Sequence, residues 1–161
     1  MSSKPEKWPG APAISRKFIP PLWLLLTLGL QAVASHLWPI ATWLAKPWGY
    51  AGGGLIAMGV AMAVWASRLF RRVETGVVPF SASTSLVVGG PYRFTRNPMY
   101  VGMLVGLVGA ALLFGTVSPL LLVVAFFVLI DRLFVQYEER MLESVHGESY
   151  LELKRRVRRW L

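Results

Sequence analysis

Apolar and polar positions fall along this chain in long blocks. Four apolar runs stand out, at about Pro20 to Trp38, Tyr50 to Phe70, Pro98 to Val117 and Pro119 to Tyr137. A helix needs roughly 20 apolar residues to cross a bilayer, so each run is long enough to span. Lys and Arg collect at the ends of the runs, and so do Trp43, Trp48 and Tyr50, the usual belt positions of a membrane protein. The pattern predicts an all-α integral membrane protein of four transmembrane helices plus a C-terminal amphipathic cytoplasmic helix.

Spacing within the runs suggests how they pack. Gly53, Ala57 and Ala61 recur every fourth residue, as do Gly102, Gly106 and Ala110, and small residues at that spacing let membrane helices approach closely. Ser118-Pro119 leaves room only for a tight turn, so the third and fourth helices should form an antiparallel hairpin. Val73 to Asn97 is the one long polar connection. In the tail, Met141, Leu142, Val145, Leu153, Val157 and Trp160 can share an apolar side, with Lys154, Arg155, Arg156, Arg158 and Arg159 outside it. That reads as a helix lying on an anionic membrane surface.

Charge refines the picture. The chain has 161 residues, of which 55% are hydrophobic and 16% charged, against about 25% charged in soluble domains. Its net charge of +9 does not signal nucleic acid, because the cations cap membrane runs. They crowd the N-terminus, the 73–97 connection and the tail, while the other two turns hold only Lys46. The positive-inside rule then puts both termini and the long connection in the cytoplasm, and a prokaryotic inner membrane is the expected location. No small-residue cleavage site follows the first run, so it reads as a retained helix. The chain divides into a cytoplasmic segment (1–18), two packing helices (20–72) and a functional half (73–161) within one domain. With no cysteine there is no disulfide, thiolate metal site or Cys nucleophile, and His36 and His146 lack metal-ligand spacing.

Candidate chemistry lies where the 73–97 connection enters the third helix, at Gly90-Pro91-Tyr92-Arg93-Phe94-Thr95-Arg96-Asn97-Pro98-Met99-Tyr100-Val101-Gly102. Asn97 suits an N-cap and Pro98 the first helical position. A helix N-terminus beside Arg93 and Arg96 favours an anion. Such residues also serve as plain interface anchors. The end of the fourth run shifts the balance, because Asp131, Arg132, Glu138 and Glu139 fall there, and ionisable residues at a membrane segment default to function. Their seven-residue spacing puts Asp131 with Glu138, and Arg132 with Glu139, on shared faces. The hairpin sets Arg93, Arg96 and Asn97 opposite Glu138 and Glu139. Cations facing carboxylates suit a zwitterion, and S-adenosylmethionine is one. Gly52-Gly53-Gly54 lies inside a membrane run and is no phosphate loop.

These residues resemble the isoprenylcysteine carboxyl methyltransferase and phospholipid methyltransferase superfamily. The likeness rests on Gly90-Pro91-Tyr92-Arg93, on Arg96-Asn97-Pro98-Met99-Tyr100 with Gly102, and on Glu138-Glu139 with Leu142, Gly147, Tyr150 and Val157, and it covers about Thr75 to Leu161. It implies S-adenosylmethionine as cofactor and a lipophilic acceptor entering sideways from the bilayer. It maps Tyr92, Arg96, Asn97, Tyr100, Gly102, Glu138, Glu139 and Tyr150 onto cofactor-binding positions, with Arg155 another candidate to close the pocket. Arg93, Arg96 and Glu138 are the catalytic candidates: the arginines to orient a carboxylate acceptor, Glu138 to take a proton from an amine. Asn97 stands where His is common in the family, which removes a His base. A carboxylate, amine or thiol acceptor all remain open. So do a membrane reductase of related fold using a nicotinamide cofactor, and a non-enzymatic four-span transporter or scaffold.

Overall fold

The computed structural model describes residues 19–42, 48–72 and 86–161. The N-terminal segment, Trp43, Lys46 and most of the long polar connection lie outside the described residues. The helices are α1 (Pro20–Leu37), α2 (Ala51–Arg72), α3 (Pro98–Phe114), α4 (Ser118–Ile130), α5 (Gln136–His146) and α6 (Glu148–Arg156), with short 3-10 turns at Trp48–Tyr50 and Gly90–Arg93. A π turn, Asp131–Val135, joins α4 to α5 without a break. Among the described residues there is no β-strand, only a single bridge between Thr42 and Thr116.

Three helical stretches are long and apolar enough to cross a membrane: Pro20–Leu37, Ala51–Leu69 and the continuous Ser118–His146. Helix α3 is apolar but has 17 residues, the short end of the spanning range. The outer surface carries large apolar side chains, with Leu25 64% and Val124 61% exposed. Patches of this kind belong against lipid or a partner.

Helix α3 touches each of the other three long helices, and its closest neighbour is α2. A methyl group built on Gly59 would sit 2.4 Å from the carbonyl oxygen of Gly102, and one on Gly109 would sit 2.5 Å from that of Gly52. The contact therefore runs through Gly52 and Gly59 on α2 and through Gly102 and Gly109 on α3, a seven-residue spacing, with the Gly106 backbone also against Gly59. On α2 this corrects the expected four-residue face, whereas on α3 the expected Gly102 and Gly106 both lie against Gly59. Gly53 has nothing within reach of an added methyl, and Ala57 and Ala61 are exposed. The physical reason is geometric: seven residues return to the same side after two turns, whereas repeated steps of four drift around the helix.

Polar groups pin the remaining helices. Gln31, fully buried on α1, donates to the carbonyls of Leu107 on α3 (3.2 Å) and Pro119 on α4 (3.0 Å). The α3–α4 turn closes on Gly115 in the left-handed region (φ 68°), as a helix C-terminus prefers. There Val117 N donates to Ala41 O, and Ser118 Oγ bonds the carbonyl of Trp38. The α1–α2 and α3–α4 turns thus meet at one end, and the N-terminus of α3 and the start of α5 lie at the other.

The α2–α3 seam makes opposite outcomes testable by denaturant titration in mild detergent. Gly53→Ala should stabilise by up to ~1 kcal/mol through helix propensity alone. Gly59→Ala should destabilise by about 1–3 kcal/mol, because backbone must move to admit the methyl.

Candidate active site at the mouth of the helical hairpin

The site is built where the end opposite these turns gathers three segments. The first is the 3-10 turn before α3. Gly90 has φ +58°, and an added methyl would strike Leu69 at 2.8 Å, so the turn nests against α2 only with glycine here. It then buries Tyr92. Thr95, fully buried, comes next, and Arg96 and Asn97 lead into Pro98 at the first helical position.

Asn97 occupies the N-cap position, but its side chain makes no cap hydrogen bond. Its Nδ2 instead donates to the carbonyl of Arg159 at 3.0 Å, and its backbone N–H donates to Thr95 Oγ1 at 3.1 Å. Thr95 Oγ1 donates to the same Arg159 carbonyl at 3.0 Å, and Arg96 N–H donates to the carbonyl of Arg158 at 3.0 Å. Three donors at the start of α3 thus hold the segment after α6. That segment is not helical: α6 ends at Arg156 and Val157 turns extended. Gly147, with φ +52°, separates α5 from α6. The expected single amphipathic tail helix is therefore two short helices and an extended end, and Arg159 turns inward instead of lying on the outer cationic side. Trp160 packs its ring 4.9 Å from Phe127 of α4.

The charges meet at Glu139, which is 5% exposed. Arg96 Nη2 forms an ion pair with Glu139 Oε1 at 2.9 Å. Arg159 reaches Oε2 from the other side, donating from Nε at 3.1 Å and Nη2 at 2.7 Å. Arg159 Nη1 also lies 3.7 Å from Asp131 Oδ1, and Gln136 Nε2 donates to Asp131 Oδ2 at 2.7 Å. Glu138 points elsewhere and accepts the Tyr100 hydroxyl at 2.8 Å. The seven-residue pairing expected for Asp131 and Glu138 fails because of the π turn. An extra residue in a helical turn rotates the downstream helix by about 100°, so Asp131 shares a guanidinium with Glu139 instead.

Of the residues singled out in the sequence, Tyr92, Arg96, Asn97, Tyr100, Glu138, Glu139 and Tyr150 line one pocket that is open at its mouth. Arg93 is exposed and off the lining, and Phe94 points to the surface. Gly102 is buried against Gly59, in the helix seam. Arg155 pairs with exposed Glu148 at 3.4 Å and does not close the pocket. Asp131, singled out for its charge at the end of the fourth run, joins the charged cluster, and so do Thr95, Gln136 and Arg159, for which the sequence suggested no role in the site. For Arg159 the one available signal was its neighbour Trp160, a large ring beside a cationic run.

Polar capacity in the pocket is left over. The Nε and Nη1 atoms of Arg96 and the hydroxyl of Tyr150 are buried with no hydrogen-bond partner among the described residues. The Arg96 guanidinium lies 6.0 Å above the Tyr150 ring. Burial pushes the Tyr92 and Tyr150 phenols up, with the nearby charges of Glu138 and Glu139 respectively adding to it. Both rings therefore stay protonated as donors at neutral pH. The hydrogen bond to Glu139 raises Arg159 further and keeps it charged.

Among the described residues, apolar helices long enough to span and a charged pocket at one end are laid out as in an integral membrane protein. The phospholipid methyltransferase family matches residues 48–149, more than half the chain, and this protein belongs to that family. Its class is a membrane methyltransferase acting on lipid-like substrates. No curated protein and no solved structure matches the chain.

Removing one member of a buried ion pair strands the other, at a cost of about 3–5 kcal/mol. Glu139→Gln should therefore cost about 3 kcal/mol or more of stability by denaturant titration in detergent. Glu138→Gln, which keeps an acceptor for Tyr100, should stay within ~1 kcal/mol.

Proposed function

We propose that the protein is an S-adenosylmethionine-dependent methyltransferase for a lipophilic, membrane-dissolved acceptor bearing a carboxylate, amine or thiol. The observation that carries this reading is the unused hydrogen-bonding capacity of Arg96 and Tyr150 in one pocket with the Glu138 carboxylate. Arg96 and Tyr150 would hold the carboxylate of the cofactor's amino-acid end, and Glu138 its ammonium.

When bound, the cofactor supplies a methyl group on a cationic sulfur, which leaves as a neutral thioether when a nucleophile displaces it in line. The chain's own residues contribute alignment, worth about 7–11 kcal/mol when the reacting groups are well placed. A carboxylate acceptor is already ionised and needs no base. An amine or thiol must lose a proton, and Glu138 is the carboxylate on the lining placed to take it, since both Glu139 oxygens face arginines. Arg93 is exposed, so orientation of the acceptor falls to Arg96.

The membrane placement we infer has four spans with both termini cytoplasmic. Supporting it, Glu138 lies twenty residues beyond Ser118, about 30 Å of helix, which matches the roughly 30 Å hydrocarbon core. The apolar α3 runs antiparallel beside it.

Purified protein in detergent should bind S-adenosylhomocysteine and transfer labelled methyl from S-adenosylmethionine into a membrane lipid extract. Arg96→Ala should weaken nucleoside binding at least about tenfold, the loss of hydrogen bonds to a charged group. Binding of NADPH without S-adenosylhomocysteine would instead establish a reductase. For topology, single cysteines placed at Ile40 and Ser149 in this cysteine-free chain should label with an impermeant maleimide from opposite faces of the membrane, Ser149→Cys from the cytoplasmic one. Labelling from one face would overturn four spans.

A further inference from the structure

We infer that Arg159 is the positioning residue of this pocket: together with Asp131 it fixes Glu139, so that Glu139 aims Arg96. The inference rests on the cofactor reading above and assigns different duties to two adjacent carboxylates. Both Glu139 oxygens face guanidinium groups, Arg96 at 2.9 Å and Arg159 at 2.7 Å, at 5% exposure; Oε2 accepts from Arg159, and Oε1 makes no hydrogen bond. Glu138 has one oxygen bonded to Tyr100 and lies on the pocket lining.

Four charged groups form the chain Arg96–Glu139–Arg159–Asp131, two cations alternating with two anions. Alternation offsets the cost of burying the charges without a ligand. It also leaves Arg96 held through Nη2 alone, with Nε and Nη1 unpartnered. The ion pair to Glu139 is close but not aligned as a hydrogen bond, so the guanidinium is steered and not saturated. Arg159 can do this because its guanidinium forks between Glu139 and Asp131, and because its carbonyl is clamped by Thr95 and Asn97. The π turn supplies the last part, rotating Asp131 onto the guanidinium. Arg159 lies beyond residues 48–149 matched by the family.

The test compares two nucleosides on the full-length protein in detergent. S-adenosylhomocysteine carries the amino-acid end, and 5′-methylthioadenosine lacks it. Arg159→Gln should weaken the first roughly tenfold, the scale of a coupled charge pair, and leave the second within twofold. Arg159→Lys should recover only part of the loss, because one ammonium cannot fork between two carboxylates. Asp131→Asn should show the same selectivity at smaller size. Equal losses for both nucleosides in Arg159→Gln would make Arg159 a structural prop and overturn the inference, as would unchanged affinity for S-adenosylhomocysteine. If the parent protein binds neither nucleoside, the cofactor reading fails on its own account. Hydrogen exchange over residues 95–100 then decides the positioning claim: faster exchange in Arg159→Gln supports it, and exchange identical to the parent overturns it.

Discussion

The charge on Glu139 is tolerable only because two guanidinium groups reach it from opposite directions. One comes from the start of α3 and the other from the segment beyond α6. A lone buried carboxylate at the edge of an apolar bundle would be costly. Its neutralisation therefore obliges α3, α5 and the extended end to converge. The 3-10 turn, the clamp of Thr95 and Asn97 on Arg159, and the seat of Trp160 on Phe127 all depend on that convergence.

The apolar part of the molecule sets where the convergence happens. Bare backbone contact at Gly59–Gly102 and Gly52–Gly109 fixes the distance between α2 and α3. Gln31 ties α1 to both α3 and α4, and the two short turns interlock at the opposite end through Val117 and Ser118. With that end fastened, the mouth of the hairpin is free to carry polar chemistry. Hydrophobic side chains still face outward along the helices, as a lipid environment favours.

Within the mouth, adjacent residues divide the work. Glu138 turns to Tyr100 and the pocket, while Glu139 turns to the arginines. Arg96 joins the two systems, anchored by one nitrogen and open at two others. A site arranged this way presents donors for an anionic group and an acceptor for a cationic one within a single pocket. That suits the amino-acid end of a methyl-donating cofactor in a family of membrane methyltransferases.

Much of this was legible along the chain, because bilayer thickness imposes a length on apolar runs and cations mark their ends. The helical hairpin and the meeting of the start of α3 with Glu139 of α5 are consequences of order and spacing alone. Tertiary structure decided the rest. Small residues at four-residue spacing and at seven-residue spacing look alike in composition, and only the crossing of α2 and α3 selected Gly52 and Gly59 over Gly53, Ala57 and Ala61. A π turn leaves no mark in hydropathy, so the partner of Asp131 waited on the backbone. Arg159 read as one more surface cation in a basic tail; its inward turn depends on its carbonyl being met by residues more than sixty positions earlier, a relation no local pattern can carry.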